Sequence, residues 1–168
     1  MQIDLGCGRA KRPGYIGLDL YPYRGVDIVC DLESGLPFED NSVQRVYANH
    51  VLEHIERFIS LMQEIYRVCC PDAHVEVRVP YYTSMGAFKD PTHRRFFAEG
   101  TFEYFNPSHW ARFDYGFGVH FEIERISYTF VPPFRRIGKW LPRRLMAALK
   151  HWLWNIVHTM VAEMRVVK

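Results

Sequence analysis

The most constraining feature is a glycine turn followed closely by an acid. Ile3-Asp4-Leu5-Gly6-Cys7-Gly8 is succeeded by Tyr15-Ile16-Gly17-Leu18-Asp19-Leu20. An apolar run closed by two glycines reads as a buried strand that turns sharply at its carboxyl end, where the backbone can approach a ligand. The second run reads as another strand with a carboxylate at its tip, which can accept hydrogen bonds from both hydroxyls of a ribose. Strand ends of this kind belong to an open α/β sheet, whose ligands lie outside the carboxyl edge at a topological switch point.

The spacing selects among nucleotide ligands. A dinucleotide site calls for G-x-G-x-x-G opening a helix, with the acid about 20 residues on. Here Arg9-Ala10-Lys11-Arg12-Pro13-Gly14 separates the two strands. Pro13-Gly14 leaves no room for a full helix, so the helix N-terminus that would hold a pyrophosphate is missing or vestigial. S-adenosylmethionine carries no phosphate and fits the shorter turn. Further along stand Cys30-Asp31-Leu32, Gly35-Leu36-Pro37-Phe38 and Asn49-His50-Val51-Leu52-Glu53-His54-Ile55.

Taken in order, these motifs resemble the class I S-adenosylmethionine-dependent methyltransferases, in the branch with a short first turn. The resemblance implies an α/β, doubly wound, Rossmann-like and mostly parallel sheet. Its last strand would be antiparallel, its first helix truncated, and a helical insertion would precede the last strand. It implies cofactor contacts at Asp4, Gly6, Cys7, Gly8, Asp19, Leu20, Asp31, Leu32, Asn49 and His50. Asp31 would meet adenine, although an Asp at that point also suits a helix or turn cap. Asn49-His50 would lie beside the methionyl part and the methyl group.

Along the chain, strands are expected at Gln2–Leu5, 15–20, 26–30, 43–49 and 74–79. An amphipathic helix over 55–68 is stopped by Pro71. Strict alternation from His74 to Val79 suggests a half-buried strand near the sheet edge. Residues 119–130 form a long strand candidate with Phe121, Ile123 and Ile126 inward, and 163–167 its antiparallel partner. With 168 residues, one methyltransferase-like domain is expected. Within it, a lid or substrate segment spans about residues 80–118 and a basic helical insertion spans about Phe134–Met160.

Composition narrows the surroundings. A net charge of +2 gives no general attraction to nucleic acid, and no RNA-binding motif appears. Cys7, Cys30, Cys69 and Cys70 have no metal-finger spacing and read as reduced thiols, which suits the cytoplasm. No leader is expected, since Met1 stands almost on the first strand. No apolar run reaches the roughly 18 residues of a membrane span.

Methyl transfer from a sulfonium is an in-line displacement that depends on alignment. A proton-bearing acceptor also needs a base, most often His, Asp or Glu. Lys89-Asp90-Pro91-Thr92-His93-Arg94-Arg95 is the densest such cluster, with His93 as candidate base oriented by Asp90; the alternative is a structural turn. Glu53 and His54 read as the start of the helix. His50, His54, Asp90 and His93 carry no spacing that demands a metal, so none is assigned.

The acceptor is expected to be a small molecule, a sugar or a lipid-linked precursor. In the insertion, Leu145, Leu149, Trp152, Ile156 and Met160 fall on one stripe at helical spacing, with Trp154 opposite amid basic residues. Such a helix either covers the sheet or anchors the chain at the inner face of a membrane. A homodimer through the uncovered sheet face or the insertion, and a non-catalytic module of the same fold, are the remaining alternatives.

Overall fold

The computed structural model describes residues 1–108, 117–132, 134–137 and 142–168. One seven-stranded sheet runs through the molecule: β1 (Gln2–Leu5), β2 (Ile16–Asp19), β3 (Ile28–Val29), β4 (Val43–Asn49), β5 (Cys69–Pro80), β6 (Phe121–Phe130) and β7 (Val157–Val166). The order is β3-β2-β1-β4-β5-β7-β6. The first five strands pair in parallel, and β7 runs antiparallel between β5 and β6. This is the Rossmann-like, mostly parallel sheet with antiparallel last strands that the sequence led one to expect. The strand order reverses between β1 and β4, and that crevice is where a ligand of such a sheet binds.

Among the described residues the helices are α1 (Phe58–Val68), α2 (Met85–Phe88), α3 (Glu99–Glu103), α4 (Phe134–Ile137) and α5 (Arg143–Trp152). α1 buries Phe58, Leu61, Met62, Ile65 and Val68, one face at helical spacing, against the sheet. Its first turn is capped from a distance. The Glu33 carboxylate accepts the backbone N–H groups of Glu56 at 2.9 Å and Arg57 at 3.1 Å. That satisfies two donors a helix start leaves orphaned.

Three expectations need correction. The helix ends at Val68 as expected but opens at Phe58 rather than at residue 55, after a short turn at Leu52–His54, and Cys69 is already extended. β5 therefore begins earlier, with Pro71 and Asp72 in a bulge between the pairs Val43–Cys69 and Arg45–His74, and Asp72 takes a left-handed φ of 60°. β5 is also central rather than near the edge; its alternation arises because one face meets the core while His74, Glu76 and Arg78 face a polar layer.

The third correction concerns the insertion. It is helical on both sides of Pro142, but β7 opens at Val157, so Ile156 and Met160 are buried with the sheet and not on a helical stripe. Among the described side chains of α5 Met146 is buried, while Leu145 is exposed. A helical period carried past a chain reversal mixes two elements. Among the described residues no helix is long and apolar enough to cross a membrane.

Between β1 and β2 the chain turns without a helix, as the Pro13-Gly14 pair implied. The turn is held by side chains: Asp4 Oδ2 accepts the Arg12 N–H at 2.7 Å, Lys11 pairs with Asp27 at 2.7 Å, and Arg12 pairs with Glu76 at 2.7 Å.

Candidate functional site

The site is assembled at the carboxyl ends of β1, β2 and β4. Gly6 and Gly8 both take left-handed φ, 60° and 52°. A side chain at Gly6 would lie 2.4 Å from Val51 Cγ2, so glycine lets the turn pack against the chain leaving β4. At Gly8 nothing stands within 4 Å of where a Cβ would be, which leaves the backbone open to a ligand.

Asp19 closes the same turn. Its Oδ2 accepts the Gly8 N–H at 2.8 Å and its Oδ1 the Tyr21 N–H at 3.0 Å. The carboxylate is thus fixed over the glycine turn, and each oxygen retains acceptor capacity for a ribose hydroxyl. Asp4 is buried beneath, and its carboxylate serves Arg12; burial pushes its pKa up against the opposing Arg12 N–H and the charges of Arg12 and Lys11. Burial, reinforced by Asp4 and Asp19, pushes the Cys7 thiol up to about 11.

The other expected cofactor residues line the same edge. Leu20 is exposed past β2, Leu32 is buried, and Asn49 is exposed at the end of β4. Asp31 follows β3 and caps the turn Leu32–Ser34, accepting the Glu33 N–H at 2.9 Å. The cap is therefore one role of Asp31, and its exposed side remains available. A left-handed φ of 55° at His50 turns the chain off β4. Its ring is held between Glu53 Oε1, 3.1 Å from Nδ1, and Thr159 Oγ1, 3.4 Å from Nε2. An open glycine backbone, an acid fixed over it and His50 at the end of the neighbouring strand together fit an adenosyl ligand.

Beyond His50 lies a cluster the sequence only partly disclosed. Glu53, His54 and His93 each offer a ligand-type atom within 4.8 Å of the others. Backbone bonds dock the 93–95 loop here, since the Glu53 carbonyl accepts the N–H of Arg94 at 2.8 Å and of Arg95 at 3.3 Å. The expected His93–Asp90 pair is corrected. Asp90 Oδ2 stays 4.0 Å from His93 Nε2, beyond hydrogen-bond reach. The Asp90 carboxylate instead accepts the Thr92 hydroxyl at 2.6 Å and N–H at 2.9 Å, bonds that lower its pKa. His93 is oriented by the Ala87 carbonyl, 2.9 Å from Nδ1, and its side chain is only 8% exposed.

Glu53 was missed as a site residue. Read as a helix-start acid, it lies in a 3-10 turn, is 1% exposed, and its Oε2 has no hydrogen-bond partner. The available signal was its place between Leu52 and Ile55, both buried. A second missed cluster joins the 80–106 segment to α5: Glu99 accepts from Tyr81 at 3.1 Å, Tyr128 at 2.6 Å and Lys150 at 2.5 Å.

Residues 3–77, from β1 into β5, match the methyltransferase-domain family. No curated protein matches the chain. Among solved structures, an S-adenosylmethionine-dependent methyltransferase from Mesorhizobium loti is 17% identical with a TM-score of 0.59, covering 98% of this chain and 90% of its own. One from Archaeoglobus fulgidus is 15% identical with a TM-score of 0.63, covering 98% and 85%. The protein complexed with the Trm112 methyltransferase activator of Haloferax volcanii is 18% identical with a TM-score of 0.64, covering 99% and 82%.

Proposed function

We propose that this chain is a class I S-adenosylmethionine-dependent methyltransferase that passes the methyl group to a small-molecule, sugar or lipid-linked acceptor held over the segment from Pro80 to Asn106. When bound, S-adenosylmethionine supplies an electrophilic methyl on a sulfonium. Asp19 and the Gly8 backbone would hold the adenosyl end, with Asp31 and Leu32 toward the base and Asn49 and His50 toward the methyl. The acceptor's lone pair forms the new bond as the sulfur takes back the bonding pair, and the acceptor's proton must leave.

The observation that carries the acceptor reading is an exposed aromatic group beside the His93 loop. Phe88 and Phe96 stack with centroids 4.4 Å apart, and Trp154 stands 5.5 Å from Phe88. All three are half or more exposed, which suits the face of a sugar ring or an apolar chain. Activation of the acceptor belongs to the Glu53, His54 and His93 group rather than to a His93–Asp90 pair, because Asp90 does not orient His93.

Calorimetry with S-adenosylhomocysteine tests the cofactor half: micromolar binding that Asp19→Ala abolishes is expected, and no binding by the wild type sinks it. Turnover of candidate acceptors by Phe88→Ala and Trp154→Ala tests the other half. A raised KM with unchanged kcat is expected, and unchanged KM removes the aromatic group from the acceptor site.

A second reading is favoured by Trp152, Leu153 and Trp154, three consecutive exposed apolar residues at the carboxyl end of the basic α5, with Trp152 84% exposed. These would dip into an anionic membrane surface and bring a lipid-linked acceptor to the crevice. Flotation with phosphatidylserine vesicles at low salt should carry the wild type up and leave the Trp152→Ala, Trp154→Ala double variant behind. Equal flotation of both, or of neither, excludes the anchor.

A further inference from the structure

We propose that Glu53, His54 and His93 form a binding site for one divalent transition-metal ion of the zinc, cobalt or manganese kind. The inference rests on the methyltransferase reading for its purpose but not for its geometry. Two imidazoles and one carboxylate, with positions left open, are the donor set of catalytic zinc and related sites.

The hydrogen bonds fix which ring nitrogens are free. The Ala87 carbonyl can only accept, so neutral His93 carries its hydrogen on Nδ1 and presents a bare Nε2. For His54 the hydrogen is placed by Thr92. The Thr92 hydroxyl gives its hydrogen to Asp90, 2.6 Å away, and so accepts from His54 Nδ1 at 2.9 Å. His54 Nε2 is bare as well. A backbone carbonyl behind one imidazole, and a hydroxyl backed by a carboxylate behind the other, are the outer contacts that orient metal-binding histidines.

Glu53 supplies the independent observation. One oxygen is taken by His50, the other is shielded from solvent without a partner, and the residue is 1% exposed. A buried carboxylate oxygen left bare costs about 1–3 kcal/mol or more. A cation among Glu53, His54 and His93 would satisfy it. One ligand-type atom of each residue lies within 4.8 Å of those of the other two. Tetrahedral bonds of about 2.0–2.1 Å place ligands roughly 3.3 Å apart, so side-chain rotations of about an ångström close the site. Two nitrogen donors in three disfavour magnesium and calcium.

Placed just past His50, the ion would bind an acceptor oxygen, lower its pKa and aim it at the methyl crevice. The acceptor proton then passes to solvent as the oxygen pair forms the bond to carbon and the sulfur recovers its own pair. An acceptor with a hydroxyl able to reach a metal is thereby favoured.

The test uses tag-free full-length protein stripped with chelator. Zn²⁺ titrated calorimetrically should bind at one site per chain, with Mg²⁺ at least tenfold weaker. Glu53→Gln and His54→Ala should each weaken Zn²⁺ at least tenfold, while His120→Ala, far from the cluster, should not. Because a buried substitution can unfold the protein, ¹⁵N resonances of the histidine rings in the wild type give a second readout. Zn²⁺ should shift Nε2 of His54 and His93 and leave His74 and His120 in place. No stoichiometric binding, shifts confined to other histidines, or undiminished binding by folded Glu53→Gln overturns the proposal. S-adenosylhomocysteine titrated into the same samples separates the failures: a chain that binds it but no Zn²⁺ loses only the metal.

Discussion

Replacing Glu99 by Gln removes one negative charge from the junction between the 80–106 segment and α5 while keeping the side chain's shape. In the wild type Glu99 meets Lys150 at 2.5 Å, with the hydroxyls of Tyr81 and Tyr128 on the same carboxylate. Burial alone would raise its pKa. The Lys150 ammonium and the Tyr128 hydroxyl outweigh that and hold it at about 2, against an ordinary 4.5. Side-chain exposures of 24% for Glu99 and 14% for Lys150 leave little room for solvent screening. The drop from 4.5 to about 2 corresponds to about 3 kcal/mol of preference for the charged form in the folded chain. Glu99→Gln should therefore cost about 2–3 kcal/mol at pH 7, the remaining amide bonds recovering the rest. The sign follows from the lowered pKa. The stabilisation is complete above pH 4.5, shrinks as pH falls, and is gone near pH 2. Urea denaturation of both proteins at pH 7, 5 and 3 should give equal gaps at pH 7 and 5 and about half that gap at pH 3. A gap that is the same at pH 3 as at pH 7, or one below about 0.5 kcal/mol throughout, refutes this account.

Other outcomes follow from the same geometry. Gly8→Val should weaken S-adenosylhomocysteine binding at least tenfold by calorimetry, since its side chain would enter the open space beside the turn; with φ at 52° it should also cost about 1–2 kcal/mol of stability. Cys7 and Cys69, whose thiols burial pushes up to about 11 and about 12, should resist a thiol reagent at pH 8 in the folded chain and react promptly in urea, as read by mass spectrometry. Asp4→Ala should destabilise by about 2 kcal/mol in thermal unfolding, and Asp4→Asn by less, because the amide oxygen can still accept the Arg12 N–H.

The sheet's parallel half was legible because its signals are local. Gln2–Leu5 and Val43–Asn49 stand where the apolar runs and glycines put them. The long antiparallel pair was legible too, though β7 extends back to Val157, well before the expected 163. What the sequence hid was long-range. Nothing local says that Asp90 serves Thr92 instead of His93, or that Glu99 finds Lys150. Such contacts depend on which loop docks on which, and here that docking is by backbone bonds from Arg94 and Arg95 to Glu53, which leave no trace in residue type. The insertion misled for a related reason: apolar residues at helical spacing continued by chance across the reversal into β7.

The missing first helix explains a pattern that otherwise looks like a flaw. On the sheet face away from α1, the register aligns Tyr47 with Glu76 and Glu163, and Arg45 with His74 and Arg165. A helix packed there would demand apolar side chains. The chain instead lays Arg12 from the short first turn over Tyr47, 4.3 Å from the ring, and pairs it with Glu76, which also holds Arg78. The same Arg12 donates its backbone N–H to Asp4 under the glycine turn. One residue thus ties the polar face of the sheet to the floor of the glycine turn. Arg12→Ala leaves the backbone bond in place and removes only the guanidinium, so it isolates that tie. Loss of the pair and the stacking should cost about 1–2 kcal/mol of stability. Affinity for S-adenosylhomocysteine should also fall several-fold, although the Arg12 side chain lies on the sheet and not at the ligand. Affinity unchanged within twofold, in a variant destabilised as expected, would mean that the crevice is held by Asp4 and Asp19 alone.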